Sequence, residues 1–448
     1  MKINELPIEI IEIIFWKLDA RSLARAGRVC RSWKDVVGNL ENVGNVWKTI
    51  CLREIAIDVI EELLGNKSIP STSTEDRQFR INWKSIYQKW FCGSKVKCWT
   101  HWKKHFPAFE ANPINCVKIS GDLIITGHRN GSICVWNCYT GTLLDVVGQH
   151  LGIVTDMVLI NLLDTDVFEI EQIKCFHHHV ISISSDHQIL LSPLLGENSE
   201  VNNKLTIKYH SECLENIKIF NNKIVVSAMD NTISFWEIFV DEEKIVQIKL
   251  KQAIPGPVHI LRWIGFWRNE IFCVCQNGMF EVFSLDKNEW MPSELKTFYN
   301  YSFNICDLNR CISNSILFRR GMVFIFCTDK QMIIPVGSSK HYFQAMMKLH
   351  SQITCIALFG NILALGSESG SLYLYNVNHP EEAKDLNLSE PSWHADLSEA
   401  SVIAIDISFN SYFPCVTAAT TEKIFFIHWL NGKTVATSPP ENTDAFAL

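Results

Sequence analysis

The spacing of apolar residues changes character near residue 113. Upstream they return every three or four positions, as on one face of a helix; downstream they form short β-branched and aromatic runs separated by turns. Leu6-Pro7 followed by IEIIEIIFWKL predicts a first helix, with Pro7 at an early position where its missing N–H costs little. Ser22 to Ala26 fits a second, capped by Asp19 or Ser22 and broken by Gly27; Val29 to about Val37 fits a third, ending near Gly38. Trp47 to about Gly65 supports another helix. RQFRINWKSIYQKW then spaces Phe79, Trp83, Ile86 and Trp90 along one more helix face, an arrangement for packing and not a stacking platform for bases.

From residue 113 one motif recurs: an apolar strand, a turn of small residues or Asp, and another apolar strand. It reads LIITGHRNGSICVW at 123–136, VISISSDHQILL at 180–191, IVVSAMDNTISFW at 224–236 and IFCVCQNGMFEVF at 271–283. It returns as VFIFCTDKQMIIP at 323–335, ILALGSESGSLYLY at 362–375 and CVTAATTEKIFFI at 415–427. The seven turns lie about 40 to 55 residues apart, the period of a four-stranded blade in a WD-type β-propeller. Each hairpin then supplies the two middle strands of a blade, and seven blades close a ring with few exposed edges. The outermost strand of the last blade is expected from KVKCW at 95–99 or from KTVATS at 433–438.

Charge divides the chain at the same place. Residues 1–112 hold 18 Lys and Arg against 13 Asp and Glu, and residues 113–448 hold 23 against 35. The larger part is therefore acidic and unsuited to coating nucleic acid. With 47% hydrophobic and 20% charged residues, a packed globular protein is expected. MKINELPIEI places Glu5 and Glu9 where an export signal needs an uninterrupted apolar core, and no uncharged apolar run reaches the ~18 residues that span a bilayer. The sixteen scattered cysteines are read as reduced, mostly buried thiols of a cytoplasmic or nuclear protein.

The first fifty residues carry more apolar surface than they can bury. Between Ile8 and Leu18 only Glu9, Glu12 and Lys17 are charged, and a unit of about 45 residues is near the lower limit for an independent core. Some of the first helix has to be covered by another chain or by the larger domain. LPIEIIEIIFWKLDARSLARAGRVCRSWKDV, running on to Trp47, resembles an F-box: Leu6-Pro7, Glu9-Ile10, Ile14, Leu18-Asp19, Leu23, Val29-Cys30 and Trp33 follow its order. The resemblance implies docking onto a Skp-type adaptor, which joins a substrate receptor to a cullin scaffold and RING subunit. Carried over position by position, it makes Leu6, Pro7, Glu9, Ile10, Ile14, Leu18, Leu23, Val29, Cys30 and Trp33 the adaptor-facing surface and the core beneath it.

The hairpins resemble WD repeats in worn form. No Trp-Asp dipeptide occurs, and Trp136-Asn137 and Trp236-Glu237 stand in its place. His210, Ser227, Asp230 and Trp236 match the order and spacing of that family's structural hydrogen-bond tetrad; His150 with Asp186 is a partial set, and His350 has no Asp in its turn. Such groups tie loop to strand in that family, so the resemblance makes them structural and not a catalytic triad. Together the two resemblances follow the order of F-box/WD-repeat substrate receptors, with the degenerate blades of the branch around F-box/WD-repeat protein twelve.

Other candidate chemistry is thin. Cys175, His177, His178 and His179 are adjacent, but neighbouring strand residues point to opposite faces and no CxxC accompanies them, so no metal site is expected. Cys273 and Cys275 share a strand face inside an apolar run, as core residues do. No phosphate-cradling glycine loop and no catalytic constellation is found, so neither cofactor nor enzyme activity is expected. The propeller region has six arginines, Arg129, Arg262, Arg268, Arg310, Arg319 and Arg320, and none but Arg129, in a turn, is placed among the innermost-to-middle strands, so a phosphorylated degradation signal is not expected as ligand.

The organisation read from the sequence is thus α plus all-β: an F-box at 1–50, a helical linker at 51–112, a degenerate seven-bladed propeller at 113–438 and a tail at 439–448. The expected role is substrate recognition in an SCF-type ubiquitin ligase, the propeller holding an unknown protein target. The alternatives are a scaffold that has lost receptor activity, and a nucleic-acid binder using Arg21, Arg25, Arg28 and Arg31. The last leaves the apolar excess of the first helix unexplained.

Overall fold

The computed structural model describes residues 6–42, 45–65, 69, 81–160, 179–194, 204–240, 246–257, 260–275, 279–284, 303–304, 312–319, 323–328, 331–336 and 339–430. Six helices come first. α1 (Ile8–Trp16) starts after Pro7, whose φ of −53° suits the position. α2 (Ala20–Ala26) is capped by Asp19, whose carboxylate accepts from the Ser22 N–H at 2.7 Å and is held below its ordinary pKa chiefly by Ser22. α3 (Arg31–Asn42) runs past Gly38, where the sequence predicted its end. A glycine inside a helix costs about 1 kcal/mol, and burying Val36, Val37 and Leu40 on one face outweighs that.

The single helix expected over 47–65 is two. α4 (Val46–Glu54) stops where Ile55 and Ala56 turn extended, with ψ of 135° and 142°, and α5 (Ile57–Leu63) leaves in a new direction. After the break α5 buries Val59, Ile60 and Leu63 in the core beside Ile55. α6 (Trp83–Gly93) buries Trp83, Ile86 and Tyr87, so its aromatics are packing residues. Residues 66–68 and 70–80, Phe79 among them, lie outside the described residues.

The rest of the chain forms seven four-stranded antiparallel sheets. In each, the predicted hairpin supplies the two middle strands, as with Leu123–His128 and Ser132–Asn137 in the first blade. Alternation of apolar residues fails along these middle strands because both faces are covered by neighbouring blades, and Leu123–His128 is buried at every position. The ring closes through the N-terminal side: Thr100–Pro107 pairs along its length with Lys423–Leu430, from Thr100↔Leu430 to Pro107↔Lys423. The closing strand is therefore neither 95–99, where Val96–Cys98 is a 3-10 turn, nor 433–438, which lies outside the described residues. It falls inside 51–112, the stretch read as helical linker. Its His-, Lys- and Trp-rich sequence hid it, since only Phe106 is buried while alternate residues face solvent, as an edge strand allows.

Neighbouring blades are stitched at their innermost strands. Asn115 Nδ2 donates to the Val154 carbonyl at 2.7 Å, the Thr155 hydroxyl to Leu214 O at 2.8 Å, and the Thr354 hydroxyl to Val402 O. Each joins one blade to the next by giving a backbone carbonyl at or just before the following innermost strand a side-chain donor.

Antiparallel order fixes two opposite faces of the disc. Turns from first to second strand and from third to fourth emerge on one; turns from second to third strand and crossovers to the next blade emerge on the other. α5 and α6 lie on the first face. Asn361 Nδ2 donates to Trp90 O at 2.9 Å, Asn376 Nδ2 to Ser94 O at 3.0 Å, and Gly360 N–H to Glu62 at 3.0 Å. Arg268 Nε donates to Glu61 at 3.2 Å, with a second guanidinium nitrogen on the other carboxylate oxygen. One apolar core runs unbroken from Phe15 and Leu23 through Ile60 and Tyr87 to Ile362, Phe425 and Trp429 in the last two blades.

Candidate functional site

Two surfaces stand out. On α1, Ile11 and Phe15 point inward at 5% and 2% exposure, whereas Ile10, Ile13 and Ile14 are 42%, 58% and 36% exposed. Positions 10, 13 and 14 are three and four apart, so they form one continuous stripe. Val29 is 62% exposed, Cys30 and Pro7 are exposed, and Glu9 is exposed beside them. Leu23 is fully buried, while Leu6, Leu18 and Trp33 are partly buried against the core. Trp33 meets Phe15 edge-on with ring centroids 5.0 Å apart. The ten residues singled out by sequence thus divide into an exposed set, Pro7, Glu9, Ile10, Ile14, Val29 and Cys30, and four supports. The large domain lies elsewhere and leaves the stripe uncovered. Arg21, one of the four arginines of the nucleic-acid alternative, sits over the Phe91 ring at 5.3 Å.

The second surface is the axial channel, about 1100 Å³, lined by the innermost strands and, at the helical end, by Glu62 of α5 and Gly65 just beyond it. Charged residues on consecutive blades neutralise one another there. Lys218 lies 2.8 Å from Asp156 and Lys118 lies 3.8 Å from Asp406. Burial raises Asp406 and outweighs Lys118 beside it; burial also presses on Asp156, yet Lys218 and Lys118 leave that carboxyl below its ordinary value. At the mouth, burial pushes Glu215 up, offset in part by Arg262. Arg262 stands on the innermost strand Leu261–Trp267 of the fourth blade, and Arg319 on Ile312–Arg319 of the fifth. The expectation that arginines avoid these strands is corrected: flanking Trp and Phe residues hid the strands in the sequence.

Comparison with known proteins fits this two-part build. Residues 3–53 match the F-box-like family model, and residues 96–137 match the WD domain, G-beta repeat model. These two matches support an F-box/WD-repeat family. A protein named F-box and WD repeat domain-containing 11-A from Danio rerio is 26% identical over 32% of this chain and 27% of its own. F-box only protein 48 from Homo sapiens is 34% identical over 20% of this chain and 50% of its own. Mitogen-activated protein kinase kinase kinase A from Dictyostelium discoideum is 27% identical over 32% of this chain and 13% of its own. The matches thus cover half or less of each of these relatives.

In the blades of this chain the hydrogen-bond sets are rearranged. In the third blade His210 Nε2 lies 2.7 Å from Ser234 Oγ, which also accepts from Trp236 Nε1 at 2.8 Å. His210 Nδ1 lies 2.9 Å from the Thr232 hydroxyl and 3.5 Å from Asp230. Ser227, chosen from sequence, is not in this set; its hydroxyl accepts from Asn216 Nδ2 at 3.3 Å. The reason is strand alternation. Val226 pairs with Ser234 across the ladder, so Ser227 points to the opposite face, while Ser234 shares a face with Trp236 two residues on. That i, i+2 relation was the available signal.

The equivalent cross-strand pair in the second blade is Ser182 and Leu190, and there the hydroxyl stays on the second strand, 2.9 Å from His150 Nε2. His150 Nδ1 lies 3.2 Å from Asp186, whose carboxylate also accepts from the N–H groups of Leu151 and Gln188. Burial lowers His150 and His210, with Asp186 and Asp230 opposing. In the first blade Trp136 Nε1 donates to Thr126 Oγ1 at 2.9 Å, and that hydroxyl lies 2.9 Å from His128 Nε2, a set the sequence did not reveal. Cys175, His177 and His178 lie outside the described residues.

Proposed function

We propose that this chain is the substrate-recognition subunit of an SCF-type ubiquitin ligase, its helical unit docking on a Skp-type adaptor and its propeller holding a target protein. Cullin and RING subunits join through the adaptor. The observation that carries the reading is the Ile10, Ile13, Ile14 stripe with Val29 and Cys30: apolar, exposed and turned away from the propeller. Buried ties account for the Ser, His and Asp groups of the blades, and the contribution of the chain is proximity, raising the effective concentration of target lysines near an activated ubiquitin.

The test is capture of a purified Skp-type adaptor by the full chain and by Ile10→Glu/Ile14→Glu. Both positions are exposed, so the melting temperature should hold while adaptor affinity falls at least about a hundredfold, as for central apolar anchors of an interface. Adaptor binding equal to the unaltered chain would reject the proposal.

A further inference from the structure

Six exposed apolar side chains of the propeller lie in turns and crossovers on the face opposite the helices. Leu151 is 91% exposed and Ile153 39%, in the crossover to the second blade; Met229 is 59% exposed in a turn of the third, and Ile260 67% in the crossover to the fourth. Met346 and Met347, in the crossover before the sixth blade, add to the same face. The first four follow one another around three adjacent blades, and Met229 is also part of the channel mouth. The channel is lined by Glu62 and Gly65 at its helical end and by Met229 of the apolar arc at this face.

The arc is held in place. Leu151 N–H donates to Asp186 at 2.8 Å, Ile153 N–H to Ser185 Oγ at 2.8 Å, and Met229 N–H to Cys213 O at 2.8 Å. Asn231 Nδ2 donates to Pro257 O at 2.5 Å, anchoring the chain just before Ile260. A surface fixed before binding loses little freedom on binding.

Charge selects among occupants. The channel lysines are matched, Lys118 by Asp406 and Lys218 by Asp156, and Glu215 adds a further carboxylate to the lining. A phosphate entering here would have to displace a carboxylate from its cation and then face that carboxylate. A neutral apolar segment meets no such opposition.

We propose that this rim and channel mouth take an unphosphorylated peptide segment of a protein partner, inserting apolar side chains over Leu151, Ile153, Met229 and Ile260. The proposal rests on the substrate-receptor reading and names the class of segment it recognises.

The probe is a random twelve-residue peptide library displayed on phage and selected on the full-length chain, followed by titration of an enriched peptide and its phosphoserine form. Enriched peptides should be rich in apolar residues and lose affinity on phosphorylation. Met229→Glu and Leu151→Glu should each weaken binding at least tenfold, and Leu144→Glu, on the outer strand of the first blade, should not. Enrichment of acidic sequences, tighter binding of the phosphoserine form, indifference to Met229→Glu, or no enrichment would each overturn it. Adaptor capture by the same preparation separates the two readings: a chain that binds the adaptor but fails these tests rejects only the peptide class, and one that passes them without binding the adaptor rejects only the ligase role.

Discussion

The Ser234 hydroxyl lies between two buried groups, His210 Nε2 and the Trp236 indole N–H, while Ser227 on the adjacent strand turns to Asn216. Removing a hydroxyl that leaves buried partners unsatisfied costs about 1–3 kcal/mol, whereas a single 3.3 Å bond from the half-buried Asn216, which also reaches the Arg262 carbonyl, is worth less than about 1 kcal/mol. Ser234→Ala should therefore lower stability by roughly 2 kcal/mol in equilibrium urea unfolding, and Ser227→Ala by well under half of that. Equal losses would mean that both hydroxyls carry the blade. Sequence placed His210, Asp230 and Trp236 correctly as neighbours in order; it could not tell which serine shared their face, because one residue of register reverses every side chain in a strand.

At the scale of elements, α5 is the joint between helices and propeller. It presents Glu61, fully buried, to Arg268 from the fourth blade, and Glu62 to the Gly360 N–H of the sixth. Gly93 at the end of α6 is in close contact with Asn361, since a Cβ there would fall 2.1 Å from its side-chain oxygen. Arg268→Ala leaves the Glu61 carboxylate buried without its cation, which costs about 3 kcal/mol where solvent cannot reach. The expected result is faster hydrogen exchange in α5 and α6 with adaptor binding retained at α1. Unchanged exchange would show that the apolar core alone fixes the joint. The sequence revealed α6 through its aromatic spacing but joined α4 and α5, because the kink at Ile55 and Ala56 carries neither Gly nor Pro and arises from packing on the disc.

At the scale of the molecule, the helical stripe and the channel mouth lie on opposite sides of a body tied together by one continuous core. Stability of that body should depend on pH through its buried histidines. Burial holds His428 at about 4 against an ordinary 6.5, and His150 and His210 are lowered in the same sense. The folded state then binds fewer protons than the unfolded one between these limits, so stability is full above about pH 6.5 and falls as pH drops toward 4. Asp406 and Glu215, raised by burial, act in the opposite direction and moderate the slope. Melting temperature measured from pH 7.5 to 4.5 should decline below 6.5, and less steeply in His428→Gln. A flat profile in the unaltered chain would contradict the buried neutral state.

Sequence by itself determined the helical start, the seven hairpins and the excess of apolar residues on α1, because period, turn chemistry and local composition are written in neighbouring positions. It also set the sign of charge in each part. Tertiary structure alone decided that Thr100–Pro107 closes the ring, that Ser234 and not Ser227 meets His210, and that the channel cations are neutralised. These depend on contacts between residues tens to hundreds apart, such as Thr100 with Leu430 or Lys118 with Asp406, and no local pattern encodes which distant strand a segment will meet.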